Sequence, residues 1–227
     1  MTTQGPLSPA VLRALQTLTT PTVANAIETF DIRPRNQGFM DASVRCLLPD
    51  LGVMVGYAVT ATIRAAEPPA PGTAIPRRRM WESILSVPEP RVVVIQDLDD
   101  PPVGSFWGEV NANIYRALGC VGTVTNGGVR DLEEVERLGF HLFASQVHVS
   151  HAYVHVVEVG TPVEVGGLTV QPGDLLHGDR HGVIQIPLEI APQLFQAAKQ
   201  VEARERRIIE VCQSPDFSIE QLAQLYG

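Results

Sequence analysis

GCVGTVTNGGVRD, residues 119–131, decides how this chain folds. An apolar run over 121–124 ends in Asn126-Gly127-Gly128, an adjacent Arg130-Asp131 pair follows, and 132–138 then carries helical spacing. Strand, glycine turn, charged pair and helix in that order are how an α/β protein sets reactive groups at the end of a sheet. Arg130 offers a planar fork suited to a carboxylate. Asp131 offers hard oxygens suited to a divalent cation such as Mg²⁺. A site for an anionic, metal-chelating small molecule needs both. Just upstream, GSFWGE at 104–109 places Glu109 after Gly108 and the aromatic pair Phe106-Trp107. Glu109 opens a helix over 109–118 that hands over to the 121–124 strand. Two helix starts, each with an acid, are thus predicted near one sheet edge. A plainer reading stands beside this one: an acid in the first turn of a helix interacts well with the helix dipole and need do nothing more.

Outward from this stretch the pattern is that of an α/β chain. Helices are predicted over 8–18 and 23–30, the second opened by Thr20-Pro21-Thr22, and over 79–86, 192–211 and 217–226. Strands are predicted over 57–63 and 91–96, and short β segments over 142–144, 154–159, 163–165, 168–170, 175–176 and 182–187. Residues 65–76 and 97–102 are rich in proline and read as loops. Strands alternate with helices early and cluster late, as in a layered sheet core flanked by helices. The 227 residues suit one domain over 1–227 with a helical extension over about 190–227.

Composition narrows the function. A net charge of −8 argues against a general nucleic-acid or membrane-surface binder. Three widely spaced cysteines, with Cys120 and Cys212 beside apolar residues, read as buried free thiols in a reducing cytoplasm. Residues 1–6 show no signal pattern, and no apolar run is long enough to span a bilayer.

Gly104, four residues, Glu109, twenty residues and then Arg130-Asp131 resembles the motif of the class II pyruvate aldolases of the 4-hydroxy-4-methyl-2-oxoglutarate/4-carboxy-4-hydroxy-2-oxoadipate aldolase family. That family shares its fold with the regulator of ribonuclease activity A (RraA). GYAVT at 56–60, GGVRD at 127–131, PVEVGG at 162–167, PGD at 172–174 and the segment 182–187 extend the likeness over most of 20–187. The resemblance implies a swivelling β/β/α domain and a lyase that cleaves a 4-hydroxy-2-oxo acid, with oxaloacetate decarboxylation through the same pyruvate enolate. It implies Mg²⁺ or Mn²⁺ on Asp131, with Glu109 joining through a water, and Arg130 on the substrate's keto and carboxylate region. The pyruvyl carboxylate would lie on the amides of Val110 and Asn111, next to Gly108. The assembly would be a homotrimer or a dimer of trimers, with a C-terminal acid from a neighbouring copy completing the site. Glu205 is the candidate. Regulators of the same fold generally lack the acid at position 109, so a non-catalytic regulator or binding protein is the competing reading. A methyltransferase reading is set aside, because no strand near the N-terminus is followed by a Gly-x-Gly cofactor loop. The sole lysine, Lys199, lies on the C-terminal helix, which weakens a Schiff-base mechanism.

Some positions depart from the family pattern. Asn126 and Asn25 stand where relatives often carry acids, and His177 and His181 enrich a turn that is usually acidic. His148, His151 and His155 do not share a strand face and read as surface or interface histidines. Arg77, Arg78, Arg79 and Trp81 read as a solvated basic loop, with a substrate-facing arm as the alternative.

Overall fold

Residues 91–97, RVVVIQD, are buried along almost their whole length, so this strand is covered on both faces. The computed structural model describes residues 5–226; residues 1–4, part of the stretch read as lacking a signal pattern, and residue 227 lie outside it. The helices are α1 (Pro9–Leu15), α2 (Thr20–Glu28), α3 (Arg77–Leu85), α4 (Glu109–Ala117), α5 (Leu132–Leu138), α6 (Ala191–Gln213) and α7 (Ile219–Ala223). The strands are β1 (Arg45–Cys46), β2 (Met54–Arg64), β3 (Arg91–Asp97), β4 (Ser105–Trp107), β5 (Cys120–Thr125), β6 (Gly128–Val129) and β7 (His141–Ala144). There follow β8 (Gln146–Val147), β9 (His155–Val159), β10 (Val163–Val165), β11 (Leu168–Val170), β12 (Leu175–Asp179) and β13 (Gly182–Ile186).

The large sheet runs β1-β7-β5-β3-β2-β12-β13, with β9 also on β2. β2, β3, β5 and β7 are parallel. β2 is long enough to pair twice along its other edge, with β12 near its start and β9 near its end, both antiparallel. Alternate side chains of β3 face opposite layers. Val93 and Ile95 join the main core under the helices. Val92 and Val94 join a smaller core roofed by the β10–β11 hairpin. Hairpin, sheet and helices make the three layers of a swivelling β/β/α fold.

Some elements differ from their sequence reading. α1 stops at Leu15 rather than running to 18, because the Thr17 and Leu18 amides turn back to Ala14 and Leu15. The piece read as 175–176 continues to Asp179, where buried His177 ties it to α1 and α2 through Leu15 and Thr20. Cys120 is buried, but Cys212 is exposed, against expectation. The reason is that α6 buries nothing beyond Ala198 and runs on past the core. No helix among the described residues is long and apolar enough to cross a membrane. Three short strands carry no alternation that the sequence could reveal. β4, β6 and β8 form a separate three-stranded parallel sheet.

Candidate active site

Two of these short strands aim the polar residues. Trp107 of β4 lies opposite Val129 of β6, and the Arg130 amide donates to the Trp107 carbonyl at 3.0 Å. The residues that leave each strand, Gly108-Glu109 and Arg130-Asp131, therefore emerge side by side. The floor is aromatic: Trp107 stacks edge-on against Phe106 (5.4 Å between centroids) and Tyr115 (4.8 Å), and tilted against Phe140 (5.3 Å).

Asp131 has φ 57°, a left-handed backbone uncommon outside glycine. It stands at the N-cap of α5, yet its side chain makes no capping bond to that helix. Its Oδ2 instead accepts the Glu109 amide at 2.9 Å, across the gap to α4. The carboxylate thus sits at the start of α4 and does not cap α5. Gly108, the N-cap of α4, has no side chain to do that job, and a Cβ there would lie 2.5 Å from Asp131 Oδ2 and 3.2 Å from Arg130 Cγ, displacing both side chains. Arg130 Nε is 3.8 Å from Asp131 Oδ2, and the two side chains are 36% and 38% exposed. The pair is loose and open to a ligand.

These groups line a cleft of about 370 Å³ together with Gly108, Val110 and Asn111. Ala112 is the first amide of α4 to bond back into the helix, to Gly108 at 2.9 Å, so the first-turn amides face outward. Glu109 is exposed and is not among the lining residues; its backbone, not its carboxylate, touches Asp131. Glu205 lies elsewhere in the chain, in a separate cavity where Asn25 Nδ2 donates to it at 3.0 Å. Lys199 pairs with Glu202 on α6.

The opposite wall went unrecognised in sequence. His151, Ala152, Tyr153 and Val154 line it, with Arg77. His151 Nδ1 lies 2.7 Å from the Ala152 carbonyl, which can only accept, so Nδ1 is the donor there. The one available signal was Gly104, where a Cβ would lie 2.7 Å from the His151 carbonyl. Arg77, Arg78 and Arg79 are all exposed on α3, and Arg77 also lines the cleft. His148 packs its ring under Gly128, and His155 lines a neighbouring cavity. His181 pairs with Asp179, away from the cleft. Asn126 is structural: its amide both accepts from the Asp97 N–H (2.7 Å) and donates to the Asp97 carbonyl (2.9 Å), clasping β5 to β3. An acid there would lose the second bond. Beneath the glycine turn, burial pushes the Asp97 carboxyl up from its ordinary range. Among the described residues, no three His, Cys, Asp or Glu side chains are grouped to hold a metal.

A layered β/β/α fold with an acid–arginine cleft at the carboxyl end of its sheet defines the class. The family model described as RraA-like, Aldolase/RraA, matches residues 20–185, and the chain belongs to that family. A protein of Halalkalibacterium halodurans named "Putative 4-hydroxy-4-methyl-2-oxoglutarate aldolase" is 29% identical over 124 residues, 52% of this chain and 59% of that one. A solved structure of an uncharacterised Pseudomonas syringae protein is 26% identical with a TM-score of 0.75, covering 98% of this chain and 96% of the other. The structure of Streptomyces coelicolor RraAS2, described as an unusual member of the RNase ES inhibitor RraA family, shares the fold at 22% identity. Its TM-score is 0.69, with 89% and 97% of the two chains covered. The chain spans about half the length of two of the curated relatives that it matches.

Proposed function

We propose that this chain is a divalent-metal-dependent lyase that cleaves a 4-hydroxy-2-oxo acid to pyruvate and a carbonyl fragment, and decarboxylates oxaloacetate through the same enolate. In both reactions the C3–C4 bond breaks and its electron pair passes to the pyruvate fragment. The 4-hydroxyl proton leaves in the first reaction, and carbon dioxide leaves in the second. One observation carries the reading: the Asp131 carboxylate is turned away from its own helix and held by the first amide of α4, beside a half-exposed Arg130.

The outward amides of Val110 and Asn111 are the seat for the substrate's carboxylate. The Arg130 fork faces the keto oxygen and opposes the charge as it develops there. Mg²⁺ keeps several waters and is bound through one or two carboxylates. Asp131, the carboxylate that lines the cleft, would hold Mg²⁺ or Mn²⁺ in an open, largely hydrated site, with Glu109, outside the lining, joining only through water. When bound, the cation supplies Lewis acidity to the keto oxygen. Lys199 is remote from the cleft, which argues against a Schiff base. Glu205 does not line its own chain's cleft, so it serves only if a second copy brings it there, as in a homotrimer or dimer of trimers.

The test is pyruvate release from oxaloacetate. EDTA should abolish it and Mg²⁺ or Mn²⁺ should restore it. Asp131→Ala should lower it to background and abolish Mn²⁺ binding measured by electron paramagnetic resonance, with the fold retained. Full turnover in EDTA ends the metal reading. The likeness to the RraAS2 fold favours the second reading, a non-catalytic regulator. That reading expects no pyruvate release under any of these conditions.

A further inference from the structure

A second cavity, of about 220 Å³, lies against the cleft. Arg77, Phe106, Asn111 and Val154 line both, so the two spaces share a wall. Their characters differ. The cleft holds the charged pair, His151 and the open end of α4. The second cavity is walled by Ala74, Ile75, Met80, Trp81, Tyr115 and Val156, with Arg77, Asn111 and His155 as its polar groups.

The wall is built in, not incidental. Met80 is 1% exposed and anchors α3, which sets Trp81 beside it. The Ile75 amide donates to the Val156 carbonyl at 3.2 Å, tying the proline-rich loop to β9. α4 links the two spaces: Asn111 lines both, and Tyr115, one turn further on the same face, lines the second. One turn is a rise of ~6 Å over four residues. A 2-oxo acid with its carboxylate at the start of α4 would lie beside the wall that Asn111 shares with the second cavity.

We propose that the second cavity receives the substituent on C4 of the substrate, and that this substituent is apolar, an aryl or branched alkyl group, and not a carboxylate. This rests on the lyase reading above. An apolar cavity of about 150 Å³ takes up benzene, so a phenyl group fits this one by volume. A carboxylate would be held at Arg77 and Asn111 on the shared wall, because Ile75, Met80 and Val156 deeper in offer it no donor. A diacid would stop short there.

The test compares three substrates on the intact protein with Mg²⁺. Oxaloacetate loses its C4 as carbon dioxide and needs no second cavity, so it tests the lyase reading alone. The aryl substrate 4-hydroxy-2-oxo-4-phenylbutanoate should be cleaved with kcat/KM at least about tenfold above that of 4-hydroxy-2-oxopentanoate. Trp81→Ala, which opens the cavity, and Ala74→Phe, which fills it, should each bring that ratio toward one. Decarboxylation of oxaloacetate without an aryl preference, or a preference for the diacid 4-hydroxy-4-methyl-2-oxoglutarate, overturns the inference and leaves the lyase reading standing. If nothing is turned over, the lyase reading falls and calorimetry decides the cavity. Binding of 2-oxo-4-phenylbutanoate at least about tenfold tighter than pyruvate, and lost in Trp81→Ala, supports it. Equal binding overturns it.

Discussion

The eight-stranded sheet and the three-stranded sheet beside it are made of different material. β2, β3 and β5 are eleven, seven and six residues long and nearly all buried. β4, β6 and β8 are three, two and two residues long, too short to be stable by themselves. The large sheet holds the fold by buried area. The small one contributes register: it sets Gly108-Glu109 beside Arg130-Asp131. Stability and placement of the polar groups thus rest on separate parts of the molecule, and mutations should separate them.

The sharpest break is in the large sheet. Val93 is fully buried at the centre of β3. Val93→Asp puts an unpartnered carboxylate there, and breaking a core in this way typically costs several kcal/mol, a large share of total stability. No cooperative melting transition is expected. A normal melt would show that this core is not the source of stability.

Next comes the small sheet. Arg130→Lys keeps the charge and loses the fork, and should lower kcat about a hundredfold, or roughly 3 kcal/mol, with binding less affected. Melting temperature should not move. Turnover near normal with a loss of stability would reverse the division of labour.

A third measurement returns to the large sheet. Burial pushes the His177 pKa down to about 4 from an ordinary 6.5. The folded chain then binds fewer protons than the unfolded chain between these values, so stability falls as pH drops through that window, by up to about 2–3 kcal/mol. His141 is shifted the same way, also to about 4. His177→Asn should flatten the slope of melting temperature against pH between 6.5 and 4, and an unchanged slope would place the effect elsewhere.

The smallest expected effect is at the join. Gly108→Ala sets a methyl against Asp131 and Arg130 and should cost activity by about tenfold at near-constant stability. Measured beside Arg130→Lys, it tells displacement of the pair from loss of one member.

The same contrast explains what could be read in sequence. The runs 91–96 and 121–124 announce themselves because they are buried on both faces, and α4 and α5 because their apolar residues recur at helical spacing. β10 (VEV) and β11 (LTV) alternate apolar and polar and are legible at three residues, whereas β4 (SFW), β6 (GV) and β8 (QV) carry no such alternation and went unseen. Gly108, Val110, Asn111, Arg130 and Asp131 all line one cleft, but nothing local told which way Asp131 would turn. Its left-handed backbone is set by tertiary contact. His151 and Arg77 reach the cleft from segments distant in the chain, and Gly104 alone hinted that something must pass close by. Glu205 meets Asn25 because α6 packs on α2, a contact no short-range pattern encodes.

Pairing of Trp107 with Val129 also bears on how this cleft can be found in other chains. The twenty residues between Glu109 and Arg130 are a detour through α4 and β5, and the detour's length does not set the distance between its ends. A relative with one more turn of α4, or a wider turn before β5, would bring the same groups together. Searches for such sites are therefore better built from two short words, glycine–acid and arginine–aspartate, each leaving a brief parallel strand, with an elastic spacer between them.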